Sequence, residues 1–468
     1  MKTKAFLYSI ALAATAITAN AQNAKIKCYF NHAVNASVSS GVNAVYLNGT
    51  AADTIAAYIK RAKHTIDIAQ YDYTANSTSH IKLIATAINN AVARGVVVRW
   101  IYNGSSSNTG LSLITWGTHA HKLASPVQSG YIMHNKFMVV DVNSTTTTDA
   151  LVWTGSFDWS DEQCKSDYNN MVIVNDKNVA LAYYHEFNKM WGGTGSAPTA
   201  SNEKFGTSKT ASTTTSFTVN GTPIQVYFSP KDNAETHLLN TINSANNEMA
   251  FGIYTFTDNT LAGAIKTRHA AGVAAFGIMD KYSATYTPWS TLSTAMGSNL
   301  KEYTGSYIYH NKIMVVDYAH PTSDPQVFTG SYNWTSAATS SNDEGMLVIH
   351  DAHVANQYYQ SLCKNFSDVG GSTSVCPTTT TRQEGFDYGQ DQFAVYPHPA
   401  INEINVQVKN ASEMLTAKIY DTMGKLLKEK QVAGTDNLQL DISDLATGVY
   451  IVIVDKGDAQ YAKKIMKQ

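Results

Sequence analysis

A histidine and a lysine two positions apart occur twice in the same setting, in YIMHNKFMVVD at residues 131–141 and YIYHNKIMVVD at residues 307–317. On a strand, residues two apart share a face, so His134 pairs with Lys136 and His310 with Lys312, while Asp141 and Asp317 point the other way and read as structural. Each copy is followed by a Gly-Ser turn, TGSFDWS at residues 154–160 and TGSYNWT at residues 329–335. Ser156 lies 22 residues after His134 (156 − 134) and Ser331 lies 21 after His310 (331 − 310). Packed about a pseudo-twofold, the copies would meet in one site with two imidazoles, two ammonium groups and two Gly-Ser turns. That set suits a phosphodiester. Lys136 and Lys312 neutralise the non-bridging oxygens, while Ser156, Ser331 and backbone N–H groups donate further hydrogen bonds. One imidazole attacks phosphorus, and the other protonates the departing oxygen and then deprotonates water. The scheme needs no metal and no cofactor.

The elements that position these residues are also written twice. IKCYF at residue 26 is answered by IQVYFSP at 224, AKHTIDIAQYDYT at 62 by ANNEMAFGIYTFT at 245, and IATAINNAVARGVVVRWIYN at 84 by LAGAIKTRHAAGVAAFGIMD at 261. Strands with period-two alternation alternate with amphipathic helical stretches, such as residues 80–95 ending at Gly95, which predicts α/β layers with helices outside the sheet. A repeat of 176 residues (310 − 134) is far longer than a solenoid repeat, so the chain carries duplicated halves. We assign residues 22–193 and 222–368 to the halves, with a Thr- and Ser-rich linker at 194–221 and a second at 369–390. Residues 391–468 differ in kind, with short alternating runs that predict a small β-sandwich.

With 468 residues, 44% hydrophobic and 15% charged, the chain is globular and too long for one ordinary core. A net charge of −2 gives no global field for nucleic acid or an anionic membrane, so an anionic substrate must be held locally. MKTKAFLYSIALAATAITANA reads as a signal peptide over residues 1–21, and no later run is long enough to span a membrane. Cys28, Cys164, Cys363 and Cys376 allow three pairings in an exported protein, of which Cys363 with Cys376 is the most local.

HNKxxxxD twice, each with a downstream Gly-Ser turn, closely resembles the phospholipase D superfamily, whose signature is HxKxxxxD followed by GSxN. The resemblance covers about residues 25–368 and implies a bilobal α/β/α fold, one shared active site and a phosphohistidine intermediate. It carries over to His310, Lys312, Asp317, Gly330, Ser331, Asn333 and, thirteen after the serine, Glu344. Asn333 would join the phosphate-binding set. The first copy departs twice, with Asp158 in the place of the asparagine and Asn169 in the place of the acid that orients a catalytic histidine. In two-copy members that acid reaches the histidine of the opposite half, which here implies that Glu344 backs His134 as nucleophile and leaves His310 as proton donor.

The C-terminal stretch resembles the sorting domain of type IX secretion through FAVYPHPAINEINVQV, LATGVYIVIV and KKIMKQ, with Pro397-His398-Pro399 where that family has Pro-Asn-Pro. This implies a secreted or outer-surface protein that engages the type IX machinery; a carbohydrate- or cell-surface-binding sandwich is the alternative. Three functions follow for the whole chain: a secreted phospholipase D, a secreted endonuclease of the same superfamily, or a binding protein with a degenerate site. Both motifs lie in one chain, so a monomer suffices. The Tyr-rich YSATYTPWS at residues 282–290 favours a lipid-facing rim.

Overall fold

The computed structural model describes residues 23–376 and, in the C-terminal region, 393–396, 400–408, 414–421, 425–433, 437–456 and 459–467. The leader expected at residues 1–21, residues 377–390 and Pro397-His398-Pro399 lie outside the described residues. The chain divides into two compact units, Met1–Thr378 and Thr379–Gln468.

The first unit contains two eight-stranded sheets. One runs Val45–Tyr46, Ile26–Phe30, Asn170–Val174, Leu151–Gly155, Lys136–Val140, Thr65–Gln70, Val97–Tyr102, Ala120–Ala124. The other runs Ser216–Val219, Thr222–Ser229, Glu344–His350, Gln326–Gly330, Lys312–Val316, Glu248–Ile253, Ala274–Asp280, Leu300–Tyr303. From the second strand on, the two orders match strand for strand, as the written-out duplication predicts. In both sheets the strand that begins at the motif lysine, just after the histidine, is central and antiparallel to both neighbours.

Alternation along these central strands divides the core. Phe137, Val139, Ile313 and Val315 face a core shared by both halves, which the helices Lys177–Trp191 and Ala352–Asp368 fill. Met138 and Val140 face the outer helices of the first half, and Met314 and Val316 those of the second. Strands buried on both faces read as continuous apolar runs, which is what FMVV and IMVV are. The two central helices begin alike, with Asp176 and Asp351 each accepting backbone N–H groups of the first turn.

The stretch 194–221 is packed rather than a free tether. Ser216–Val219 adds an antiparallel edge strand to the second sheet, and Lys209 is buried between the halves. Its Nζ pairs with Asp343 at 2.6 Å and with Glu186, and donates to Ser229 O at 2.8 Å. Composition concealed this because one lysine among serines and threonines carries no periodic signal. Cys363 and Cys376 form a disulfide, while Cys28 and Cys164 are buried free thiols whose pKa burial pushes up. Among the described residues no helix is long and apolar enough to cross a membrane.

The C-terminal unit, taken by itself, is a small β-sandwich. A sheet of Phe393–Tyr396, Glu403–Val408 and Asn437–Asp441 and a sheet of Leu426–Ala433, Met414–Tyr420, Gly448–Lys456 and Ala459–Lys467 share a core that includes Ile404, Ile419, Leu440 and Val452.

Candidate active site

Each Gly-Ser turn requires its glycine. Gly155 and Gly330 have φ of 150° and 149°, and a Cβ on either would lie 2.2 Å from the carbonyl oxygen of Asn170 or Gly345. The close approach carries each serine onto the strand that bears the orienting residue. Ser331 Oγ donates to Glu344 Oε2 at 2.6 Å, and Ser156 Oγ to Asn169 Oδ1 at 2.8 Å. Both serine protons are therefore engaged within the protein. Sequence spacing led us to expect these hydroxyls to donate to a phosphate; here they fix the groups behind the imidazoles.

Those groups cross between halves. Glu344 Oε2 lies 2.7 Å from His134 Nδ1, and Asn169 Oδ1 lies 3.0 Å from His310 Nδ1. The backbone makes the crossing possible: His134 N donates to Asp343 O at 2.9 Å, Asp343 N to Ile132 O at 3.1 Å, and Tyr168 N to Ile308 O at 2.9 Å. Asn170 Nδ2 also donates to Asn311 Oδ1 at 2.9 Å across the interface. The two histidine segments are thus edges docked on the partner half.

Behind His134 the Asp343 side chain takes Tyr131 OH at 2.6 Å and Gly206 N at 2.9 Å in addition to Lys209. Burial works against the Lys209 charge, but Asp343 and Glu186 more than offset it and hold the ammonium above its ordinary pKa. Sequence reading missed both Lys209 and Asp343, which occur in one copy only.

The lysines occupy unequal fields. Lys136 Nζ donates to His134 O at 3.2 Å and forms an ion pair with Asp158 at 3.1 Å. The other carboxylate oxygen of Asp158 lies 3.9 Å from His310 Nε2. Lys312 Nζ donates to His310 O at 2.6 Å and, among the described residues, has no carboxylate within ion-pair distance. Burial, and then the charge of Lys136, holds its pKa well below the usual lysine range. Each ammonium also lies over a tyrosine ring, Lys136 at 4.9 Å from the centroid of Tyr71 and Lys312 at 5.3 Å from that of Tyr254. Asn333, the counterpart of Asp158, is half-buried and its Oδ1 accepts from Thr255 N at 3.4 Å.

The imidazoles are 5–6% exposed. Burial lowers the pKa of His134, and the Glu344 carboxylate works against that shift. For His310 burial is joined by Lys312, Lys136 and His134, and its pKa falls well below the usual value. Asp141 and Asp317 stand outside this centre, each in the left-handed region with φ of 51° and 50°. Asp141 accepts from the N–H groups of Lys63, His64 and Thr65, and Asp317 from those of Asn246, Asn247 and Glu248. Each ties the end of the His-Lys strand to the start of its neighbour. A groove of about 720 Å³ beside the helix Lys177–Trp191, lined by residues such as His185 and Thr214, includes neither His134 nor His310 in its lining.

The family model described as "Cardiolipin synthase, PLD-like domain" matches residues 55–191 and 238–365, one match on each half. The chain belongs to the phospholipase D superfamily. Residues 394–468 match the secretion system C-terminal sorting domain, which places this phospholipase D-superfamily protein outside the cell or on its outer surface by type IX secretion. It is 26% identical to a phospholipase D of Rickettsia bellii over 30% of this chain and 66% of that protein. It is 26% identical to a mitochondrial cardiolipin hydrolase of Drosophila melanogaster over 28% of this chain and 55% of that one. The chain thus spans about half to two thirds of the length of these two relatives. The crystal structure of a phosphatidylserine synthase from Haemophilus influenzae superposes with a TM-score of 0.51 at 12% identity, over 73% of this chain and 87% of that one, which shows the fold.

Proposed function

We propose that the protein is a secreted phospholipase D-type phosphodiesterase that hydrolyses the headgroup ester of a phospholipid through a phosphohistidine on His134. The observation that carries the reading is the unequal backing of the histidines, a carboxylate at 2.7 Å behind His134 and an amide at 3.0 Å behind His310. Attack by His134 Nε2 leaves a positive ring on phosphorus, and Glu344 stabilises that charge across the Nδ1–H bond. His310 does the reverse, since it starts as imidazolium and ends neutral, and a neutral amide behind it leaves it the stronger acid. It gives its proton to the departing headgroup oxygen, then takes one from the water that attacks the phosphohistidine.

Lys312, with no carboxylate within ion-pair distance among the described residues, is the principal contact for a non-bridging oxygen, with Lys136 and Asn333 beside it. Binding of the phosphate anion also raises the proton affinity of His310, which arms the acid only when substrate is present. The relatives named phospholipase D and cardiolipin hydrolase support a phospholipid substrate, and a single chain supplies both motifs, so a monomer is sufficient. Stopped reactions on labelled phospholipid should leave label on His134; label on His310 would overturn the role assignment. Mixed phospholipid vesicles and plasmid DNA, each assayed with EDTA, separate the substrate classes. Turnover of lipid alone, undiminished by EDTA, is expected; turnover of DNA alone would make the protein an endonuclease, and turnover of neither a binding protein.

A further inference from the structure

The two groups behind the histidines differ in symmetry as well as in charge. A carboxylate accepts at both oxygens, so Glu344 presents an acceptor to His134 Nδ1 whichever way it is turned. An amide has one accepting end and one donating end, so the tautomer of a neutral His310 depends on which end of Asn169 faces it. Gln163 selects that end. Its Oε1 accepts from Asn169 Nδ2 at 2.9 Å, and its Nε2 donates to Asp167 Oδ2 at 2.7 Å. An ionised carboxylate only accepts, so Asp167 turns the oxygen of Gln163 toward Asn169, and Gln163 turns the nitrogen of Asn169 away from His310. The backbone carbonyls of Gln163 and Asp167 add weaker contacts to the same Nδ2, at 3.1 and 3.5 Å, and both also accept from Asn31 Nδ2. The other end of the Asn169 amide, Oδ1, takes the Ser156 hydroxyl and lies at His310 Nδ1.

The opposite half lacks this side chain at the matched position. Gln163 is the third residue of the helix Asp161–Lys165, and its N–H donates to the capping Ser160 Oγ at 3.1 Å. The third residue of the helix Ser336–Ser340 is Ala338, whose N–H donates to the capping Thr335 Oγ1 at 3.2 Å. Asn342, two residues before Glu344 as Asp167 is two before Asn169, donates directly to Glu344 Oε1 at 3.3 Å. The half with a carboxylate thus has a methyl group where the half with an amide has a side chain that orients it.

We infer that Gln163 is a positioning residue for His310, which acts by holding the Asn169 amide with its oxygen toward the ring. The inference rests on the reading of His310 as acid and then base. Asn169 Oδ1 can only accept, so a neutral His310 carries its proton on Nδ1 and keeps Nε2 bare, ready to take a proton from the water that attacks the phosphohistidine. A reversed amide would set an NH2 group against Nδ1, oppose the imidazolium form and move the neutral ring's proton to Nε2, where no base remains. Asp158, at 3.9 Å from Nε2, is too distant to hydrogen-bond that proton and is paired with Lys136.

The test uses the full chain at about pH 8, where Asp167, whose pKa burial pushes up to about 6, is ionised. Gln163→Ala should slow hydrolysis of the phosphoenzyme about five- to tenfold, while its formation from a p-nitrophenyl phosphodiester, whose leaving group needs no proton, changes less than about twofold. Asn169→Asp removes the donating end, so in that background Gln163→Ala should change hydrolysis less than about twofold. Equal losses in both backgrounds, or in both steps, would overturn the inference. Ala338 shows that a helix of this kind forms with alanine at the position, and one readout needs no variant of Gln163. Imidazole 15N NMR, assigned with His310→Asn, should find neutral His310 protonated at Nδ1 in the unmodified protein, and a proton at Nε2 would refute the orientation. If no phosphodiester is cleaved, the phosphodiesterase reading fails and the tautomer still decides the positioning: Gln163→Ala should give a mixture of the two forms, and an unchanged tautomer would sink it.

Discussion

Behind His134 the chain sets a carboxylate, and behind His310 an amide. His134 has Glu344 at Nδ1, and its segment is clamped by Asp343, itself paired with the buried Lys209 of the strap between the halves. At the positions of Glu344 and Asp343 the other half has Asn169 and Tyr168, and Tyr168 stacks on His32 at 3.5 Å. The lysines reverse the order, since Lys136 is paired with Asp158 and Lys312 has, among the described residues, no carboxylate within ion-pair distance. A duplicated scaffold thus has its proposed nucleophile and proposed phosphate anchor on opposite halves. Such inequality suits two-step phosphoryl transfer, in which one ring gains positive charge while the other loses it.

The strongest way to break this comparison is to vary the leaving group. His134→Asn should lose at least about 10⁴-fold in phosphoenzyme formation whether the leaving group is an alkoxide or p-nitrophenolate. His310→Asn should lose about 10²- to 10⁴-fold with an alkoxide and less than about tenfold with p-nitrophenolate, which departs without a proton. Rapid-quench measurement of the first step checks both, and equal sensitivity of the two variants to the leaving group would make the halves interchangeable.

The lysines come next. Lys312→Ala should cost on the order of 10³-fold in kcat/KM and Lys136→Ala on the order of tenfold, since only the former lacks a carboxylate to share its charge. Steady-state kinetics with circular dichroism as a folding control decides the order, and a larger loss at Lys136 would reverse it.

A smaller effect sharpens the acid assignment. Glu344→Gln should slow turnover on the order of 10²-fold with its folding retained. In the unmodified protein, His310 must be protonated to act and its pKa lies well below the usual value. Activity therefore falls as pH rises through that lowered value, so the basic limb of kcat/KM lies on the acid side of an ordinary histidine. Bound phosphate offsets the two lysines, so the basic limb of kcat should lie at higher pH than that of kcat/KM. Coincident limbs would remove His310 from the acid role.

Asp158→Asn should give the smallest change, a fall in KM of about three- to tenfold as Lys136 is released and the repulsion of substrate relieved. A rise in KM would mean that Asp158 itself contributes a favourable contact.

Most of the scaffold was legible in the chain because a duplication compares each residue with its own counterpart. The matched apolar runs gave the sheets, and IKCYF against IQVYF gave the start of each half. The second His-Lys pair identified the first as more than an incidental surface pair. The strap was not legible, because Lys209 has no counterpart and its role depends on Glu186 and Asp343 arriving from two different halves. The partners of the serines were not legible for a related reason: a Gly-Ser turn announces a donor, but Glu344 and Asn169, which accept from the hydroxyls here, are brought beside them by the neighbouring strands.

What the sequence determined by itself is the inventory and its asymmetry: two imidazoles, two ammonium groups, one orienting acid at Glu344, one amide at Asn169 and one odd carboxylate at Asp158. These are properties of residue type and spacing, which local periodicity preserves. Beyond the contact of Glu344 with His134, which the resemblance implied, the tertiary structure decided which charge meets which. Ion pairs such as Lys209 with Asp343 depend on distances between segments more than a hundred residues apart. Coulomb interactions in a buried site change steeply over a few ångströms, and no pattern along the chain encodes that distance.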